Sequence, residues 1–127
     1  VNTASNWFEI PCHDFDRAVR FYRGIFGMDL PTEDVMNEPT MYFPFDCDAA
    51  GGSVILSKHR QPSEHGTVVY LNAGEDIVRI VGRVSVFGGT VLRDVHSIGP
   101  GGYVALFLDS EGNRVGLHTN DLQPLDV

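Results

Sequence analysis

The stretch Asp14–Gly27, DFDRAVRFYRGIFG, decides how the rest of the chain reads. Asp14 offers a side-chain oxygen to cap a helix. Phe15, Ala18, Val19, Tyr22, Ile25 and Phe26 then recur at the spacing of one helical stripe. Gly27 can take the left-handed conformation that ends a helix. A helix with one apolar stripe must bury it, and a strand precedes it. In Trp7–Cys12, Phe8, Ile10 and Cys12 fall on one face, and Trp7, Glu9 and Pro11 on the other. Three short strands are expected after the helix, near Met28–Leu30, Met41–Phe45 and Ser53–Ser57. Pro31, Pro39 and the Gly51-Gly52 pair separate them.

The plan returns downstream. Thr67–Ala73 (TVVYLNA) reads as a strand. The following EDIVRIVGRVSVFGG places Ile77, Ile80, Val81, Val84 and Phe87 on a helical stripe. Its β-branched residues would also suit a strand. The acidic start at Glu75-Asp76 and the stop at Gly88-Gly89 favour a helix. Strands follow at Thr90–Arg93, Tyr103–Leu108 and Arg114–Thr119, the last two joined by the turn Asp109-Ser110-Glu111-Gly112-Asn113. Superposing the halves sets Trp7 on Val68 or Val69, Asp14 on Asp76, Gly27 on Gly88 or Gly89, and Ile55 on Gly116, at an offset of about 61–62 residues. The fold class is therefore α+β. It consists of two tandem βαβββ modules, one over about residues 6–58 and one over about 67–119, within a single domain spanning 1–127.

Composition bounds the function. The chain has 127 residues, 43% of them apolar and 20% charged, which suits one globular domain. Its 9 basic and 17 acidic residues leave a net charge of −8, a surface that repels phosphate backbones and anionic lipid. Neither nucleic acid nor a membrane is expected as a partner. No apolar run approaches the roughly 18 residues of a membrane span. The opening VNTASNW lacks the basic-then-apolar pattern of a signal peptide. Cys12 and Cys47 are read as free thiols, and a cytoplasmic location is expected.

The strand faces point to a site. The more apolar set of each strand should meet the helix: Val54 and Leu56, Val69, Leu71 and Ala73, Val115 and Leu117. The opposite face then carries Trp7, Glu9, Tyr70, Asn72, Arg114 and His118 among small or apolar neighbours. A sheet with one solvated face also alternates in this way. Facing Trp, Tyr and Val are unusual on such a surface, and a concave, half-apolar face with a few polar groups is how small-molecule pockets are lined.

Trp7 and Tyr70 offer flat surfaces for an aromatic or cationic ligand. Asn72 and Arg114 offer polar contacts, and Phe107 is a candidate wall residue. Glu9 and His118 are the candidate catalytic pair, a carboxylate and an imidazole that could exchange protons with a bound ligand. The plainer readings are a Glu9 carboxylate paired across the sheet, with Arg114 or a backbone group, and a His118 bonded to a carbonyl at the pocket rim. His13, His59, His65 and His96 fall in loops or at element ends and are read as surface residues.

The segments FEIP, DFDRAVRFYRGIFG, YLNAGEDI, FGGTVL and IGPGGYVALFLDSEGNRVGLHT, with the tandem repeat and the Asp-x-Glu-Gly-Asn turn, together resemble the vicinal oxygen chelate superfamily. They are most similar to its glyoxalase/bleomycin-resistance-like members, over roughly residues 6–119. The resemblance implies paired modules forming an open, cupped mixed β-sheet with helices outside, and a homodimer. Fold membership does not fix the chemistry. Enzymes of this superfamily hold a divalent ion with His and Glu from the first, fourth, fifth and eighth strands. Those positions here are Trp7, about Ile55, Val68 or Val69, and Gly116. None carries the nitrogen, oxygen or sulfur donor that such an ion requires. The expectation is a protein without metal or other cofactor that binds a small aromatic or cationic organic compound. The alternative is a metal-independent isomerase or lyase working through Glu9 and His118. A metal-dependent glyoxalase or dioxygenase stands third.

Overall fold

The structure, a computed structural model, describes residues 4–46 and 50–122. Cys47 lies outside them. Elements follow in the order β1 (Trp7–Pro11), α1 (Phe15–Phe26), β2 (Thr32–Val35), β3 (Glu38–Tyr42), β4 (Gly51–Ile55), β5 (Tyr70–Asn72), α2 (Ile77–Val84), β6 (Thr90–Ser97), a 3-10 turn at Gly99–Gly101, β7 (Tyr103–Leu108) and β8 (Arg114–Thr119). They form two four-stranded sheets of matching topology, β1-β4-β3-β2 and β5-β8-β7-β6, in which the first and fourth strands of each are parallel. The fold is thus two tandem βαβββ units with open sheets, each unit carrying one helix.

The helices form for the reasons written in their sequences. Asp14 caps α1 by accepting from the Arg17 N–H at 3.0 Å, and Gly27 closes it at φ 62°. Ala18, Val19, Phe21, Tyr22 and Ile25 form its buried stripe, so Phe21 joins the expected set while Phe15 and Phe26 are only half-buried. Helix α2 buries Ile77, Ile80, Val81 and Val84. It ends before Phe87, whose ring lies across α1 in the space that a Cβ on Gly24 would occupy.

Five strand expectations shift, the plainest being β6, which runs on past the expected end at Arg93 to Ser97. The segment Met28–Leu30 is not a strand. Leu30 is buried there and its carbonyl accepts from Arg23 Nε at 3.0 Å and Nη2 at 2.7 Å, so the ladder starts only at Thr32. Strand β3 begins at Glu38 and ends at Tyr42, earlier than Met41–Phe45. Strand β4 takes in Gly51 and Gly52, expected as a break, and stops at Ile55. Strand β5 is confined to Tyr70–Asn72, shorter than Thr67–Ala73.

One hydrophobic core spans both units. Phe21 of α1 meets Phe107 of β7 with ring centroids 5.9 Å apart, and Tyr22 meets Phe43, just past β3, at 5.4 Å. The β7–β8 turn locks the units together from the polar side. Glu111 accepts from the backbone N–H groups of His13 and Asp14, and Asn113 Nδ2 donates to the Pro11 carbonyl at 2.7 Å. Strands β1 and β5 remain the outer strands of their sheets, and a cleft opens between the two units there.

Candidate functional site

The cleft has a volume of about 890 Å³. On one side stand Trp7 and Phe8 of β1, Phe26 at the end of α1, Phe43, and Gly51 and Gly52 of β4. On the other stand residues 67–74 with Asp76, Ile80 and Arg83 of the α2 region. The size matches sites for drug-sized organic molecules, and the walls are largely apolar, as in such sites.

Adjacent glycines of β4 shape its floor. A Cβ on Gly51 would stand 2.8 Å from Phe45 and 2.9 Å from Trp7, and one on Gly52 would run into the ring of Phe8. Side chains alternate across a strand, so the pair beds aromatic rings on both faces. Trp7 also packs edge-on to Phe45 at 5.3 Å and to Tyr42 at 6.1 Å, leaving 42% of its surface exposed. In the second unit Tyr70 lies on Gly116, where a Cβ would collide with its ring.

Trp7, Tyr70 and Asn72 all border the cleft. Asn72 Oδ1 accepts from the Gly74 N–H at 2.9 Å, fixing the turn that leaves β5. Glu9 is not a free carboxylate. Its Oε1 lies 3.1 Å from Nη2 of Arg60, a residue of the connection between the units rather than the expected Arg114. His118 Nε2 lies 2.6 Å from the Gly101 carbonyl. A carbonyl only accepts, so that nitrogen carries the proton. His118 borders a separate polar hollow of about 430 Å³ with Tyr70, Asn72, Glu75 and Asp121, in which Glu9 has no part. Two expected contacts lie elsewhere. Arg114 donates from Nε to the Glu64 carbonyl at 3.1 Å, holding the connection. Phe107 pairs with Val115 and faces the core at 1% exposure, because Val104, Leu106 and Leu108 take the opposite side of β7.

The residues at the family's metal positions do not fit a divalent ion. Trp7 pairs with Gly51 and Ile55 with Pro11, so these two side chains are four residues apart along the ladder, roughly 13 Å at strand rise. Val69 packs on the core, leaving Val68 with the parity of Tyr70. Trp7 and Val68 border the cleft; Ile55 and Gly116 do not. Counting back from the last rung before each helix, Pro11–Ile55 and Asn72–His118, sets Ser53 rather than Ile55 in the place of Gly116. Among the described residues no three His, Cys, Asp or Glu side chains are grouped so as to hold a metal ion.

Arg83 is not among the expected site residues. It reads from sequence as the polar side of α2, yet it is half-buried at the cleft wall. A basic residue between Ile80 and Val84, both on the buried stripe, is the signal that the sequence offers.

Comparison with known proteins agrees with this architecture. A family model described as Glyoxalase/Bleomycin resistance protein/Dioxygenase superfamily matches residues 4–117. A glyoxylase-like domain-containing protein of Didymella fabae is 31% identical over 117 residues, covering 87% of this chain and 89% of that protein. A glyoxalase-related enzyme from Fulvimarina pelagi superposes with a TM-score of 0.69 at 14% identity, over 99% of this chain and 94% of that one. A glyoxalase/bleomycin resistance protein from Albidiferax ferrireducens T118 does so with a TM-score of 0.66 at 17% identity, over 91% and 98%. No helix among the described residues is long and apolar enough to cross a membrane.

Proposed function

This chain belongs to the Glyoxalase/Bleomycin resistance protein/Dioxygenase superfamily, and from that premise we propose that it binds a small aromatic organic compound between its two units without a metal ion. The observation that carries the reading is the 890 Å³ cleft walled by Trp7, Phe8, Phe26 and Phe43. Burying a ring there removes apolar surface from water at both partners, at roughly 25 cal/mol per Å². Offset or edge-on ring packing adds to it. The family's metal positions, Trp7, Ser53 or Ile55, Val68 and Gly116, include no carboxylate, imidazole or thiolate, which supports binding by contact rather than chelation. The net charge of −8 would draw a cation from a distance. The Glu9 carboxylate expected to anchor one does not border the cleft and is engaged by Arg60, so stacking supports the reading better than charge does.

The test uses N-phenyl-1-naphthylamine, a neutral aromatic dye whose emission rises in apolar surroundings. Saturable one-to-one binding, lost when Val68→Phe fills the cleft, is the expected result. Absence of saturable binding overturns the reading. So does a stoichiometric divalent metal found by elemental analysis after purification without chelators.

A further inference from the structure

We propose that the ligand of this cleft is an aromatic acid, with its ring against Phe8, Phe26 and Phe43 and its anionic group on the guanidinium of Arg83; this rests on the binding reading above.

Among the described residues, Arg83 is the only basic one bordering the cleft, and Asp76 is the only acidic one. The guanidinium carries five N–H donors and no acceptor. Nη1 donates to the Ile25 carbonyl at 3.2 Å, in the last turn of α1. No described carboxylate lies within 4.0 Å of Arg83, whereas Arg17, Arg23 and Arg60 each have one. Arg114 is likewise half-buried without a described carboxylate within 4.0 Å, but it lies away from the cleft and its Nε is engaged by the Glu64 carbonyl, so of the two only Arg83 can meet a ligand there.

The Ile25 bond holds one edge of the planar group and leaves its remaining donors for an incoming acceptor. Planar guanidinium matches carboxylate or sulfonate oxygens in two-point contact. The surrounding walls are apolar, so a charge pair formed there is less screened by water than one on the surface. Phe26, Phe43 and Ile80 border the same cleft and supply the apolar contact for the rest of the molecule.

The experiment compares two dyes with one skeleton. These are 1-anilinonaphthalene-8-sulfonate, which is anionic, and N-phenyl-1-naphthylamine, which lacks the sulfonate. The readout is the ratio of their dissociation constants at pH 7, followed by fluorescence. Arg83→Met should cut the preference for the anionic dye by on the order of ten-fold or more, leaving the neutral dye within about two-fold. Arg83→Lys keeps a cation beside the Ile25 carbonyl and should lose part of the preference, because its point charge cannot make the two-point contact. Arg79→Gln, which changes the net charge equally at an exposed site on the same helix, should leave the ratio unchanged. A merely structural role for Arg83 would lower the melting temperature without moving the ratio. An unchanged ratio in both Arg83 variants, or an equal drop in Arg79→Gln, overturns the inference while leaving the binding reading intact. Failure of the neutral dye to bind the unaltered protein overturns both.

Discussion

Arg17, in the first turn of α1, grips Glu111 of the β7–β8 turn through two hydrogen bonds, Nε to Oε2 at 2.6 Å and Nη2 to Oε1 at 3.0 Å, across 94 residues of sequence. Glu111 is the buried member of the pair: its side chain is fully covered, while that of Arg17 is 48% exposed. The carboxylate also accepts from the backbone of His13 and Asp14 and from Ser110. It thereby satisfies donors at the start of α1 that the helix leaves free.

That arrangement fixes a pH dependence. Burial pushes the Glu111 carboxyl up, but the Arg17 guanidinium, the Asp14 N–H, Ser110 and the His13 N–H outweigh it and hold it below the ordinary carboxylate value. A carboxyl lowered on folding contributes stability that is complete above its unfolded value, about 4.3, and is lost as pH falls through the lower folded value. Unfolding by urea should therefore show stability declining below about pH 4.3. In Glu111→Gln this part of the decline should be absent and stability at pH 7 lower by about 2–4 kcal/mol. Arg17→Met should cost less, since the exposed guanidinium returns to water. An unchanged acid limb in Glu111→Gln would contradict this.

The hydroxyl of Tyr22 sits at the centre of the same clasp, donating to Asp109 Oδ2 at 2.7 Å. Asp109 also accepts from the backbone of Glu111 and Asn113 and from Asn113 Nδ2. Tyr22→Phe keeps the ring against Phe21 and Phe43 and removes only the hydrogen bond. It should cost about 1–2 kcal/mol. Asp109→Ala strips a buried acceptor from four donors and should cost more. Chemical denaturation of the two variants checks the order, and Tyr22→Phe as the costlier change would refute it.

Much of this architecture is legible in the amino-acid sequence. Helix α1 and strand β8 emerge because their apolar periods are unbroken, and β7 because it is a short apolar run bounded by turn residues. Strand β2, TEDV, is exposed along its whole length and carries no alternation, so nothing local marks it. Gly51-Gly52 reads as punctuation, because a sequence shows glycine's freedom to turn but not the rings lying over it. Although the cleft is also bordered by Phe8, Val69 and Leu71 of the opposite parity, Trp7, Tyr70 and Asn72 are identifiable as candidates by strand parity. Arg83 is not, since its importance comes from the cleft it reaches. Phe107 is misplaced by the sequence reading because an aromatic in an almost wholly apolar strand gives no sign of which face it takes.

Filling the floor of the cleft gives a local test of its shape. Gly51→Ala brings a methyl to within 3 Å of Trp7 and Phe45 and must displace one of them. Trp7 is the only tryptophan, so its emission reports the movement without interference. We expect a shifted emission maximum and at least ten-fold weaker binding of the neutral dye, against a modest loss of stability of about 1–3 kcal/mol. Gly116→Ala, which displaces Tyr70 instead, should leave the Trp7 spectrum unchanged while still weakening the dye. Unaltered emission in Gly51→Ala would show that the indole does not rest on β4.

Cys12 should be chemically silent in the folded protein. Its Sγ donates to the Ile55 carbonyl at 3.4 Å, and the residue is 2% exposed. Burial pushes the thiol up to about 12, with Glu111, Asp109 and Asp14 adding to the rise and Arg17 opposing it. The thiolate is the reacting species, so at pH 8 both its scarcity and its lack of access slow any disulfide reagent. In a Cys47→Ser background, Cys12 should react with Ellman's reagent at least a hundred-fold more slowly in buffer than in denaturant. Glu111→Gln removes the negative charge that raises the thiol most and opens the clasp, so it should speed the folded-state reaction. Rapid labelling of Cys12 in the folded Cys47→Ser protein would show that β1 separates readily from β4.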